Sequence, residues 1–135
     1  MKPMGLDYFI LAFVGAVGVL QIAASYSSLR GILFFQNRRL SAVLGALALV
    51  GAFLWFYISK PRNLADTNGG LSGNEDAWIF CAACTLAILF TFAVTSVLNR
   101  KMGRDANCPP GICALRHTTF YTAFKQAVRK LWTQF

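Results

Sequence analysis

Residues 40–58 read LSAVLGALALVGAFLWFYI, nineteen positions without a charge, and their reading decides the fold. A helix rises 1.5 Å per residue, so about 20 apolar residues cross a hydrocarbon core about 30 Å thick. Two further runs of similar length, Tyr8–Leu29 and Ala77–Leu98, flank this one. Lipid offers no partner to a free backbone N–H or C=O, so runs this long and continuous must be helices rather than barrel strands. The sequence therefore predicts an all-α integral membrane protein with three transmembrane helices.

Bulk composition agrees. Of 135 residues, 56% are hydrophobic and only 13% charged, about half the charged share of a soluble domain. Residues 1–98 are expected to form the transmembrane domain, with spans at about 8–29, 40–58 and 77–98. Residues 99–135 form a basic tail, too short for a separate soluble core. Lys2 before an apolar run ending Ala23-Ala24-Ser25 resembles a secretory signal. Asp7 leaves its n-region nearly neutral, however, and apolar sequence resumes at Gly31-Ile32-Leu33-Phe34-Phe35, so the first span is read as retained.

Orientation follows from basic residues on alternate sides. Lys2, Lys60 and Arg62 share one side, while Arg30, Arg38, Arg39, Arg100, Lys101, Arg104, Arg116, Lys125, Arg129 and Lys130 share the other. The positive-inside rule puts the second group in the cytoplasm, which gives an N-out, C-in topology and a multi-pass protein of the cell (plasma or inner) membrane. Asp7, Asp66, Glu75 and Asp76 fall outside, so the formal charge of +8 reflects topology and points to no nucleic-acid partner. Tyr8, Trp55, Tyr57 and Trp78 are expected at the outer interface, and Pro61 ends the second helix. Ser72-Gly73-Asn74-Glu75 has capping-box spacing before the third run, and Asp76 adds negative charge at the positive end of the helix dipole.

Within the spans, Ser41, Gly45, Ala48 and Ala52 form a small-residue stripe on one helix face, the pattern that lets membrane helices approach closely. Gln21, placed near mid-membrane, needs a hydrogen-bond partner in hydrocarbon and reads as interhelical glue. Cys84 and Thr91 are expected on a packing face of the third span, shared with Cys81, Ala87 and Thr95. No Asp, Glu, Lys, Arg or His lies deep in any span, which argues against a proton or ion path through this chain alone.

The thiols come nearest to chemistry. Cys81 and Cys84 form a C-x-x-C at the start of the third span, where a helix N-terminus favours thiolate. Cys108 and Cys113 bracket Pro-Pro-Gly-Ile in the tail, and with His117 they are one ligand short of a closed zinc site. The layout of two cysteine pairs is similar to that of the three-helix mercuric-ion transporters in arrangement alone, since their membrane pair is adjacent and in the first helix. No cofactor is expected. Cys81 and Cys84 read more simply as small apolar packing residues, and the tail pair as part of a kinked, reduced loop.

The tail carries the clearest motif. At 100° per residue, Phe120, Tyr121, Phe124, Ala127, Val128, Leu131, Trp132 and Phe135 fall in one arc of about 140°, with Lys125, Arg129 and Lys130 among the polar residues opposite. Residues 118–135 are expected to form a cytoplasmic amphipathic helix, capped by Thr118 or Thr119, lying on anionic lipid headgroups or docking on a partner. The chain thus reads as a non-catalytic accessory, scaffold or assembly subunit whose partners are the bilayer and other membrane subunits or further copies of itself. The alternative is a thiol redox protein or a soft-metal carrier using Cys81/Cys84 and Cys108/Cys113.

Overall fold

A computed structural model describes residues 3–58, 73–99 and 120–133, and these residues are helical apart from the first connection and Asn99, a turn residue just past the third long helix. The helices are α1 (Pro3–Tyr26), α2 (Arg38–Ile58), α3 (Gly73–Leu98) and α4 (Phe120–Thr133). Three candidate membrane spans result, Gly5–Tyr26, Arg38–Ile58 and Gly73–Leu98, each long and apolar enough to cross a bilayer.

The boundaries follow from local chemistry. α1 stops three residues before the end of its apolar run because the chain turns at Ser28, whose φ of 60° is left-handed. The Leu29 N–H donates to the Ala24 carbonyl at 3.0 Å and the Ser28 N–H to the Ser25 carbonyl at 3.4 Å, the paired bonds of a Schellman cap. Leu29 also packs against the apolar cluster that contains Ala24. α2 starts two residues earlier than expected, because the Asn37 side chain accepts the Arg39 N–H at 3.2 Å. α3 starts four residues earlier than expected and carries Glu75 and Asp76 in its first turn, where the helix dipole favours them. Ser72 lies outside the described residues, as do Thr118 and Thr119 before α4.

α1 is the central helix. It packs on α2 along one side and on α3 along another, while α2 and α3 make at most marginal contact with each other. Against α2, the crossing point is Gly18 on Gly45: a Cβ added to Gly18 would lie 2.7 Å from the Gly45 carbonyl oxygen, and one added to Gly45 would lie 2.8 Å from that of Gly18. No side chain fits there, so the two backbones touch. Against α3, the contact is made by side chains. Ala83, Ala87, Thr91 and Thr95 are fully buried at four-residue spacing, and Phe13 meets Phe90 edge to face with ring centroids 5.6 Å apart.

Two apolar clusters close the ends. Leu11, Ala52 and Phe56, with Tyr8 and Val14, join α1 to α2 toward the end where α1 begins. At the linker end, Ala24, Ile32 and Leu33 gather Leu29, Phe92, Phe120 and Ala123, so the first connection, α1, α3 and α4 meet in one place.

Candidate functional site

The first connection is short enough to be read as a loose loop, yet it folds back as a plug. Residues Arg30–Ile32 form a single 3-10 turn, Gly31 and Ile32 are buried, and Leu33 has no exposed surface. Burying this backbone requires partners for its polar groups, and side chains at Gln21 in α1 and at Asn99, just past α3, supply several of them.

Gln21 is the hub. Its Nε2 donates to the Ile32 carbonyl at 3.1 Å, while its Oε1 accepts the Phe34 N–H at 3.0 Å and the Ser41 hydroxyl at 2.9 Å. Ser25 Oγ donates to the Arg38 carbonyl at 2.7 Å, and Asn99 Nδ2 donates to the Leu33 carbonyl at 3.0 Å. Gln21 is 3% exposed, Ser41 1% and Asn99 3%, so the network is dry and its loss strands buried donors and acceptors. Gln21 lies five residues from the C-terminus of α1, nearer the linker end than the mid-membrane position expected of it. None of Gln21, Ser25, Ser41 and Asn99 titrates, so the latch holds the same protonation at every pH.

The stripe expected on α2 distributes unevenly: Ser41, Gly45 and Ala52 are buried and Ala48 is half-buried. On α3 the buried row is Ala83, Ala87, Thr91 and Thr95, continuing to Asn99, and it is offset from the thiols. Cys81 is exposed and Cys84 half-buried, so the packing face expected to include Cys81 leaves it out. Both thiols are free. Thr95 Oγ1 donates back to the Thr91 carbonyl at 2.7 Å, whereas the Thr91 hydroxyl, with no exposed surface, has no partner among the described residues. Among the described residues no three His, Cys, Asp or Glu side chains come together, and Cys108, Cys113 and His117 lie outside them.

At the tail, Phe120 is half-buried and stacks on Phe92 with centroids 4.1 Å apart, and Phe124 stacks on Phe120 at 6.0 Å. Beyond this anchor Tyr121, Phe124, Val128 and Trp132 are exposed, as are Lys125 and Arg129. The side chains of Lys130, Leu131 and Phe135 lie outside the described residues. Between α1 and α3, Phe9, Phe13, Leu86, Leu89, Phe90 and Ala93 line an open apolar groove of about 400 Å³ that offers a ligand dispersion contacts alone.

Sequence reasoning missed Asn99, Ser25 and the plug itself. The available signal was the apolar pentapeptide 31–35 between two arginine-bearing ends, and a lone Asn directly after the third run. No protein-family model, no curated protein and no solved structure matches the chain.

Proposed function

We propose that this protein is a non-catalytic accessory, scaffold or assembly subunit of a larger membrane complex. The observation that carries this is how little of the outer helices the chain covers by itself. Only 22% of the α2 membrane window and 17% of the α3 window are buried, against 33% for the central α1. Two long apolar faces are left for lipid or for other membrane helices. The plug and the glycine crossing supply a stiff platform for such contacts, and the polar groups of the latch carry no acid, base or nucleophile suited to turnover.

In this proposal the N-terminus is outside and the linker end, with α4, is at the cytoplasmic leaflet, as the ten-to-three split of basic residues favours. α4 lies in that interface with its aromatic face in the acyl boundary and its cations among anionic headgroups, each cation adding about 1 kcal/mol. A second reading has one observation in its favour, the exposed, unbridged Cys81 thiol three residues before Cys84. It makes the protein a thiol-exchange device.

Affinity purification after cross-linking in native membranes tests the choice. A stoichiometric multi-pass partner that survives detergent supports the subunit role. A trapped mixed disulfide at Cys81 or Cys84, with no such partner, replaces it with the thiol role. Single cysteines at Ser72 and Gln126 check orientation: an impermeant maleimide added to intact cells should label position 72 alone. A peptide of residues 117–135 should become helical on anionic vesicles, and Phe124→Asp should weaken its binding by about 2–3 kcal/mol.

A further inference from the structure

Three arginines surround the plug, and each stands on a backbone that another residue holds in place. The Arg30 carbonyl accepts Asn99 Nδ2 at 3.4 Å, the Arg38 carbonyl accepts Ser25 Oγ at 2.7 Å, and the Arg39 N–H donates to Asn37 Oδ1 at 3.2 Å. The same three side chains are exposed. Arg30 and Arg39 each lie two residues before a position, Ile32 and Ser41, that bonds to the Gln21 amide, so the latch ties both stretches of backbone to one point on α1. The described acids, Asp7, Glu75 and Asp76, all sit at the other end of the helices, so among the described residues no carboxylate neutralises this patch.

The patch also has an apolar half. Phe35, between Arg30 and Arg38, is 47% exposed, and beside it Phe34 is half-buried. An exposed ring next to fixed cations, where three membrane helices end, matches a molecule with a phosphate head and a hydrocarbon tail. A soluble anion would leave Phe35 without purpose, and a zwitterionic lipid would bring its own cation against the arginines.

We infer that Arg30, Arg38 and Arg39, held on the latched first connection, form a binding site for the phosphate of an anionic phospholipid, with Phe35 against its acyl region. The site rests on the proposed orientation, since the arginines then face the anionic leaflet. Its residues belong to the first connection and to the start of α2 and not to α4, which packs on the plug cluster through Phe120 and Ala123. A guanidinium presents a planar fork of donors that pairs with two phosphate oxygens, which an ammonium cannot reproduce.

That difference supplies the test. The full chain in neutral detergent is titrated with phosphatidic acid and with phosphatidylcholine, and bound lipid is counted by native mass spectrometry. Wild type should bind phosphatidic acid selectively. The triple variant Arg30→Lys, Arg38→Lys, Arg39→Lys keeps every charge, hence the topology signal, and should bind about tenfold more weakly. Lys125→Gln on α4 removes one tail cation and should weaken phosphatidic acid binding clearly less than the triple variant does, and inorganic phosphate should not displace the lipid. Equal binding by the lysine variant would show diffuse charge attraction and overturn the site. A loss in Lys125→Gln as large as that of the triple variant would put the lipid on the tail, and displacement by inorganic phosphate would make it a free-anion site; either result overturns the inference. Detergent has no sides, so these outcomes are independent of the maleimide test of orientation.

Discussion

Along α2, α1 comes close enough for backbone to touch backbone at Gly18 and Gly45, and Gln21 and Ser41 bond across the seam. Along α3 the same helix meets Ala83, Ala87, Thr91 and Thr95 through side chains, with an aromatic edge contact and an open groove beside it. Packing without a hydrophobic drive depends on close approach and on hydrogen bonds, so α1 and α2 form the stiff hairpin. α3 is tied to it by that side-chain row and, at the linker end, by Asn99, which holds Leu33.

The largest expected effect breaks that hairpin. Gly45→Leu forces a side chain into the Gly18 carbonyl and should cost about 3 kcal/mol or more in mixed-micelle unfolding. Gly51→Ala, on a helix position with nothing within 4 Å, should instead be neutral or stabilise by about 0.5–1 kcal/mol. Equal damage from both would mean that the glycines matter through helix propensity, and the stiff seam would lose its basis.

Next comes the polar difference between the seams. Gln21→Leu strands the Phe34 N–H, the Ile32 carbonyl and the Ser41 hydroxyl, and should destabilise by about 1–3 kcal/mol. Thr91→Val removes a buried hydroxyl with no partner among the described residues, so the same unfolding assay should show no loss and a gain of up to about 1 kcal/mol. If Thr91→Val costs as much as Gln21→Leu, the α3 seam is also held by a polar contact.

Cys81→Ala with Cys84→Ala sharpens the α3 side. Cys81 is exposed and Cys84 only half-buried, so membrane level and partner recovery should stay within about 0.5 kcal/mol equivalents of wild type. Loss of partner with intact protein would make the thiols functional. A small gain is expected at the α1 cap: Ser28→Gly relieves a left-handed non-glycine residue and should stabilise by about 0.5 kcal/mol or less, read by the same unfolding assay.

Much of this architecture was legible before any coordinates. The three spans were, because hydrocarbon demands about 20 apolar residues in a row and satisfies no free backbone group, so length and polarity alone identify such helices. The tail's apolar arc and the split of basic residues are likewise written along the chain. Gln21 was visible as a polar side chain needing a partner, and Gly45 as part of a small-residue stripe.

Which groups meet was decided by tertiary structure. Gly18 is one of several small residues in its span, and only the crossing geometry pairs it with Gly45. The offset of the α3 row from Cys81 depends on how that helix is rotated against α1, a quantity that a repeating stripe leaves open to within a residue or two. The plug is the clearest case. Its hydrogen bonds join Gln21 to Ile32, Phe34 and Ser41, and Asn99 to Leu33 across 66 residues of chain. Hydropathy is a local sum over neighbours in sequence, whereas burial of a backbone group depends on partners distant in sequence and near in space, and for that reason the latch appeared only in the folded chain.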